Sequence, residues 1–207
     1  MNDLFGPTPQ LKLQPKLQPK LQDGQIHLID DFLRQSQADY YYQTLKDTLL
    51  WQQDEIVVYG KKHKIPRLQA WYGDENTAYE YSGLMMQPNP WTKELFELKQ
   101  MIEISCNSTF NSVLGNYYRD GKDKMGYHSD DEPELGYNPV IASLSLGTNR
   151  RFVLKHKQKD EKLALDLPHG SLLIMAGQTQ QFYKHAIMAR KNLAHGRINL
   201  TFRHIYR

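Results

Sequence analysis

The chain has 207 residues, 40% of them apolar and 11% aromatic, which suits one domain with a packed core. A formal charge of +3 and a pI of about 8.8 permit nucleic acid as a partner without demanding it. The single cysteine, Cys106, excludes an internal disulfide or a cysteine-rich metal site, and neither a membrane span nor a signal peptide is expected, so a reducing, cytoplasmic setting is the default.

Residues 1–24 read as a disordered Pro/Gln/Lys/Leu tail, because Pro15 and Pro19 in KLQPKLQPKLQ forbid helix and ladder alike. Residues 31–50 carry Phe32, Leu33, Tyr40, Tyr41, Leu45 and Leu49 at near-helical spacing. A second helix is expected from Trp91 to Ile104, after Pro90, with Leu95, Leu98, Met101 and Ile102 inward. From residue 110 the chain becomes a series of short β-forming runs: FNSVLGNYY, PVIASLSLG, RFVLKH, KLALDLP, GSLLIMAG, QFYKHAI and RINLTFRHI, separated by turn residues. This predicts an α+β, mainly β chain, with an antiparallel sandwich or jelly roll over 110–207 and helices from 25–109 covering one sheet.

RINLTFR alternates strictly. Ile198, Leu200 and Phe202 face one way, and Arg197, Asn199, Thr201 and Arg203 the other. That is either a strand with one wet face or the wall of a cavity whose two arginines bind a small dicarboxylate. GYHSDDE holds the only His-x-Asp of the chain, His128 and Asp130. On an extended segment both project to the same side, and a third ligand from a distant strand would complete a two-histidine, one-carboxylate face suited to ferrous iron. Five downstream histidines are available, namely His156, His169, His185, His195 and His204. His185, in the strand-like QFYKHAI, is the choice. His156 among lysines and His169 in PHG look solvent-facing, and His195 looks like a turn residue.

His-x-Asp, a late histidine and then R-x-N-x-x-x-R resembles the AlkB family of iron(II)/2-oxoglutarate-dependent dioxygenases, above all its duplex-DNA-repairing members. Similar blocks are PRLQAWYGD, YSGL, NYYRDGKDKMGYHSDDE, IASLSLG, LPHGSLLIM and RINLTFR. The resemblance implies a double-stranded β-helix with a nucleotide-recognition lid, and Fe(2+), 2-oxoglutarate and O2 as cofactor and co-substrates. It implies His128, Asp130 and His185 as iron ligands. Arg197, Arg203, Asn116 and Tyr118 would hold 2-oxoglutarate, with Arg203 on its far carboxylate. Asp131 and Glu132 would lie beside the metal and read the base.

The implied substrate is alkylated DNA, double- or single-stranded, carrying lesions such as 1-methyladenine and 3-methylcytosine. Chemistry on such a base requires flipping it out of the stack. The resemblance makes Tyr59 the wedge of a finger whose rim is Lys61, Lys62, His63, Lys64 and Arg67. It makes Tyr81, in YSGL with Ser82, the ring that stacks on the flipped base, with Tyr79 and Gln69 lining the pocket. Arg190 and Lys191, and Arg150 and Arg151 with Lys155 and Lys157, are candidate phosphate contacts. A monomer in the bacterial cytoplasm, or the nucleus of a eukaryote, is the default. RNA as substrate, a zinc hydrolase and a non-catalytic nucleic-acid-binding module remain alternatives.

Overall fold

A computed structural model describes residues 18–206 apart from 59, 76, 78, 82 and 83. In chain order the first strands are β1 (Gln25–Ile29), β2 (Glu55–Val58), β3 (Lys61–Lys64), β4 (Leu68–Gly73), β5 (Tyr79–Tyr81) and β6 (Leu84–Met86). Then come β7 (Ser112–Tyr118), β8 (Met125–His128), β9 (Ile141–Gly147), β10 (Arg150–His156) and β11 (Lys162–Leu167). The last are β12 (Ser171–Ala176), β13 (Tyr183–Ile187) and β14 (Arg197–Arg203). The helices are α1 (Gln35–Thr48), α2 (Lys93–Cys106) and the single turn α3 (Thr179–Phe182). Among the described residues no helix is long and apolar enough to cross a membrane.

Two antiparallel sheets face each other. The larger runs β1-β12-β9-β14-β7-β4 and the smaller β11-β10-β13-β8. Leu114, Trp71, Leu173 and Met175 of the larger sheet pack with Phe152, Leu154, Leu165 and Ile187 of the smaller, forming the inner core. The outer face of the larger sheet is apolar too, and the helices cover it. Ile198, Leu200 and Phe202 meet Ala38, Tyr41 and Leu45 of α1 and Leu95, Leu98 and Ile102 of α2. Thr92 caps α2 by accepting the Leu95 N–H at 3.2 Å, and the helix stops where Asn107 turns left-handed at φ 47°. Tyr40 does not join this core. It is 42% exposed, because residues one apart on a helix point about 100° apart and Tyr41 takes the inward place.

Two expectations change. The stretch before residue 110 supplies β1 and β4, the two end strands of the larger sheet, so the boundary drawn at 109/110 falls within one sheet. The expected loose tail also ends earlier. Residues 1–17 lie outside the described residues, but Leu21 packs against the inner core and Asp23 bonds to His156 at 3.1 Å.

Candidate functional site

β8 and β13 lie side by side, and their register sets His128 directly opposite His185. The two rings are 4.3 Å apart between centroids. Asp130 follows β8 two residues on, so its side chain returns to the same side. Its carboxylate oxygens lie 4.0 Å from His128 Nε2 and 4.0 Å from His185 Nε2. The three candidate ligand atoms fall within 4.8 Å of one another. His128 Nδ1 is 2.9 Å from the Gly126 carbonyl, which can only accept, so that nitrogen carries a proton and Nε2 faces the carboxylate. Burial, helped by the neighbouring His128, pulls His185 down to about 3, so its imidazole is neutral at neutral pH. Burial alone would raise the Asp130 carboxyl; Arg203 and the two histidines outweigh it and hold it at about 2. Two imidazoles and an ionised carboxylate therefore converge in one buried place.

The same cavity is lined by Asn116, Tyr118, Ser143, Phe152, Arg197, Asn199, Thr201 and Arg203. The polar face of β14 is thus a cavity wall. Arg203 Nη2 donates to Asp130 Oδ1 at 2.7 Å. Arg197 is 1% exposed; its Nη2 donates to Ser145 Oγ at 2.8 Å, and its Cζ stands 5.4 Å from the Tyr118 ring centre. Among the described residues, Arg197 Nε and Nη1 meet no hydrogen-bond partner. Burial lowers this guanidinium to about 10. A buried cation with N–H groups to spare is a receptor for an anion.

A model of the 2OG-Fe(II) oxygenase superfamily matches residues 25–203. The chain belongs to the 2OG-Fe(II) oxygenase superfamily. Its relatives are AlkB homologues. It is 40% identical over 191 residues to alpha-ketoglutarate-dependent dioxygenase alkB homolog 3 of Mus musculus, covering 87% of this chain and 66% of that protein. It is 42% identical over 158 residues to DNA oxidative demethylase ALKBH2 of Homo sapiens, covering 72% and 60%. The chain spans 57 to 66% of the length of the curated relatives it matches. The solved structure of OsALKBH1 aligns at a TM-score of 0.64 and 22% identity, covering 89% of this chain and 100% of that one, a likeness of fold.

The superfamily's iron(II) and 2-oxoglutarate fit these residues: a histidine–carboxylate–histidine set beside a buried guanidinium with N–H groups to offer. The geometry moves Arg203, however. Expected on the far carboxylate, it lies against Asp130, one of the three candidate ligands. Arg197 stands with Tyr118 and Ser145 instead. Tyr118 is the inward tyrosine, whereas Tyr117 packs with Trp51 at 5.6 Å.

Other expected site residues are placed differently. Arg67 is not an exposed phosphate contact. It is 5% exposed, its Nε donates to Asn116 Oδ1 at 2.7 Å, and its Nη2 lies 3.1 Å from the Gln69 amide. Arg67 and Gln69 therefore support Asn116 from behind. Arg150 is also buried, spending its donors on the carbonyls of Asp120, Asp123 and Met188. Asp131 is tied to Lys157 at 2.9 Å, while Glu132 has a buried Oε2 without a partner among the described residues. Arg190 and Lys191 are exposed, in a turn where Gly121 is required: a Cβ there would stand 1.9 Å from the Arg190 carbonyl oxygen. Lys62, His63 and Lys64 are exposed on β3, while the side chain of Lys61 lies outside the described residues. Tyr59 and Ser82 lie outside the described residues, as do the side chains of Tyr79 and Tyr81 on β5.

His156 is not solvent-facing. It is 2% exposed, bonds Asp23 and accepts the N–H groups of Gln158 and Lys159 at 3.0 and 2.9 Å. Sequence reasoning missed Ser143, Ser145 and Gln180. The serines were findable, since IASLSLG alternates as RINLTFR does; Gln180 had no local signal.

Proposed function

We propose that this chain is an iron(II)- and 2-oxoglutarate-dependent dioxygenase that removes methyl groups oxidatively from alkylated bases in DNA. The observation that carries this is the convergence, in one buried cavity, of the His128–Asp130–His185 set with Arg197 and its unpartnered N–H groups. The names of the AlkB homologues add the substrate class.

His128, Asp130 and His185 would hold iron(II). Arg197, flanked by Tyr118 and Ser145, would take the distal carboxylate of 2-oxoglutarate. Arg203 fixes Asp130 in its ionised form and adds positive charge where the keto-acid end would lie. Bound iron(II) supplies oxidation of a C–H bond by O2, with 2-oxoglutarate becoming succinate and CO2. The N-methyl group of the base thereby becomes N–CH2OH, which releases formaldehyde and leaves N–H. The chain's share is to exclude water, orient the methyl group and hold the base. Glu132, with a buried oxygen free to accept, suits the exocyclic amino group of adenine or cytosine better than Asp131, which Lys157 engages. Lesions on the pairing face weaken pairing and so lower the cost of flipping. Arg190 and Lys191 stand exposed as candidate phosphate contacts.

The test uses purified protein with iron(II), 2-oxoglutarate and ascorbate, and oligonucleotides carrying one 1-methyladenine as single-stranded DNA, duplex DNA or RNA. Mass spectrometry follows loss of the methyl group, with His128→Ala as control. Demethylation of DNA by the wild type alone is expected. Demethylation of RNA only would replace the substrate. Succinate formation without demethylation would keep the dioxygenase and discard the lesion, and neither activity in folded, iron-loaded protein would overturn the proposal.

A further inference from the structure

β8 ends at His128, and its ladder with β13 ends at the His128–His185 pair. Asp130 therefore has no strand partner to fix its backbone. It is also 1% exposed, so its N–H needs a protein acceptor. That acceptor comes from fifty residues away. Gln180 Oε1 takes the Asp130 N–H at 2.9 Å, and Gln180 is itself 2% exposed.

Gln180 sits on α3, the single turn that leads directly into β13 and hence to His185. The same turn holds the neighbouring residue as well. Lys157 Nζ donates both to the Gln180 carbonyl at 2.9 Å and to Asp131 Oδ2 at 2.9 Å. On its other side Thr179 Oγ1 accepts the Gln25 N–H at 2.8 Å, which braces the turn against β1. The turn therefore holds Asp130 by one direct bond and Asp131 through the Lys157 bridge, and it continues into the strand that carries the third candidate ligand.

We infer that Gln180 is a positioning residue for the metal site: it sets where Asp130 stands relative to His185 before any cation arrives. The inference rests on the reading of His128, Asp130 and His185 as metal ligands. The chemistry asks for this bond. Arg203 pulls on the Asp130 carboxylate from one side, and Ser129 Oγ donates to the Tyr183 carbonyl at 2.8 Å, but neither contact holds the Asp130 main chain, which they leave free to swing. A second, main-chain attachment removes that freedom. Its acceptor belongs to the segment bearing another ligand, so the two ligands move together. Such supports of a ligand typically change metal affinity by about 10–100-fold.

The experiment is a titration with Co(II), an air-stable stand-in for iron(II), followed by visible absorption. It compares wild type, Gln180→Leu, Gln180→Glu and Asp130→Ala, with the thermal unfolding of each preparation recorded beside it. Gln180→Leu removes the acceptor and is expected to weaken Co(II) binding about 10-fold or more and to alter the absorption band. Gln180→Glu keeps an acceptor oxygen and is expected to restore both. A folded Gln180→Leu protein that binds Co(II) within about twofold of wild type, with the same band, would overturn the inference. If Gln180→Leu does not fold, Gln180→Asn, whose oxygen is withdrawn by one methylene, carries the same comparison. A wild type whose Co(II) binding is unaffected by Asp130→Ala would instead refute the underlying metal-site reading.

Discussion

Arg203 donates to Asp130 at 2.7 Å, with the two side chains 3% and 2% exposed. A charge pair this deep is held by mutual need: each ion has lost its water and depends on the other. Removing one partner strands the other. Arg203→Met is therefore expected to cost about 3–5 kcal/mol of stability in metal-free protein. The double variant Arg203→Met/Asp130→Leu, which leaves no stranded charge, is expected to cost less than the single one. Urea unfolding of the three proteins checks this; a double variant weaker than Arg203→Met would contradict it.

Arg197 predicts the opposite sign. It is as buried as Arg203, but among the described residues no carboxylate stands against it, and its Nε and Nη1 meet no hydrogen-bond partner there. Its charge is a burden to the protein alone and an asset once an anion arrives. Arg197→Met is expected to leave the melting temperature of ligand-free protein unchanged or raised. It is also expected to abolish stabilisation by glutarate, a dicarboxylate that lacks the keto group and so reports on this end of the cavity. At a concentration a hundred times its dissociation constant, glutarate should stabilise the wild type by about 2.7 kcal/mol. Glutarate protection surviving in Arg197→Met would remove Arg197 from the anion site.

These two arginines show what the sequence could and could not disclose. The alternation in RINLTFR was enough to put both on one face with Asn199 and Thr201, and to put Ile198, Leu200 and Phe202 under the helices. Which arginine stands against Asp130 was hidden, because it depends on a contact between residues 73 apart in sequence. His156 was misjudged from its lysine neighbours. In β10 the period of two puts His156 with Phe152 and Leu154 on the inner face and leaves Lys155 outside. Arg67 was assigned by adjacency to the basic β3, whereas its side chain enters the sheet interior beside Asn116. Helices α1 and α2 and the strands β7 and β9 to β14 followed from spacing, whereas the single turn α3 had no helical period to show. β1 was overlooked because a proline-rich repeat precedes it, and its place depends on pairing with β12, about 150 residues away.

His156 should matter for stability and for the N-terminal segment. Its ring bonds Asp23 through Nε2 and accepts two backbone N–H groups through Nδ1. His156→Leu keeps the bulk but deletes all three bonds, at an expected cost of about 1–3 kcal/mol. Asp23→Asn should be milder, because only one of the three bonds changes. Hydrogen exchange should show the loss concentrated at residues 18–24 and the 156–159 turn. A uniform change across both sheets would mean that His156 acts through core packing instead.

The outer face of the smaller sheet carries a row of like charges. Lys155 pairs in register with Lys162 on β11 and with Lys184 on β13, and all three are exposed. Neighbouring strands lie about 4.8 Å apart, so these ammonium groups repel, and none has a salt bridge among the described residues. Lys155→Thr removes the middle charge and adds a β-branched residue. It is expected to stabilise the protein by about 0.2–1 kcal/mol at low ionic strength. The part of the gain that comes from relieved repulsion should fade near 1 M salt, where the screening length falls to about 3 Å. The same variant separates two uses of the row. If the lysines touch a nucleic-acid backbone, Lys155→Thr lowers the slope of log affinity against log salt by about 0.7–0.9. If the row is only solvated surface, the stability gain appears and the slope stays as it was.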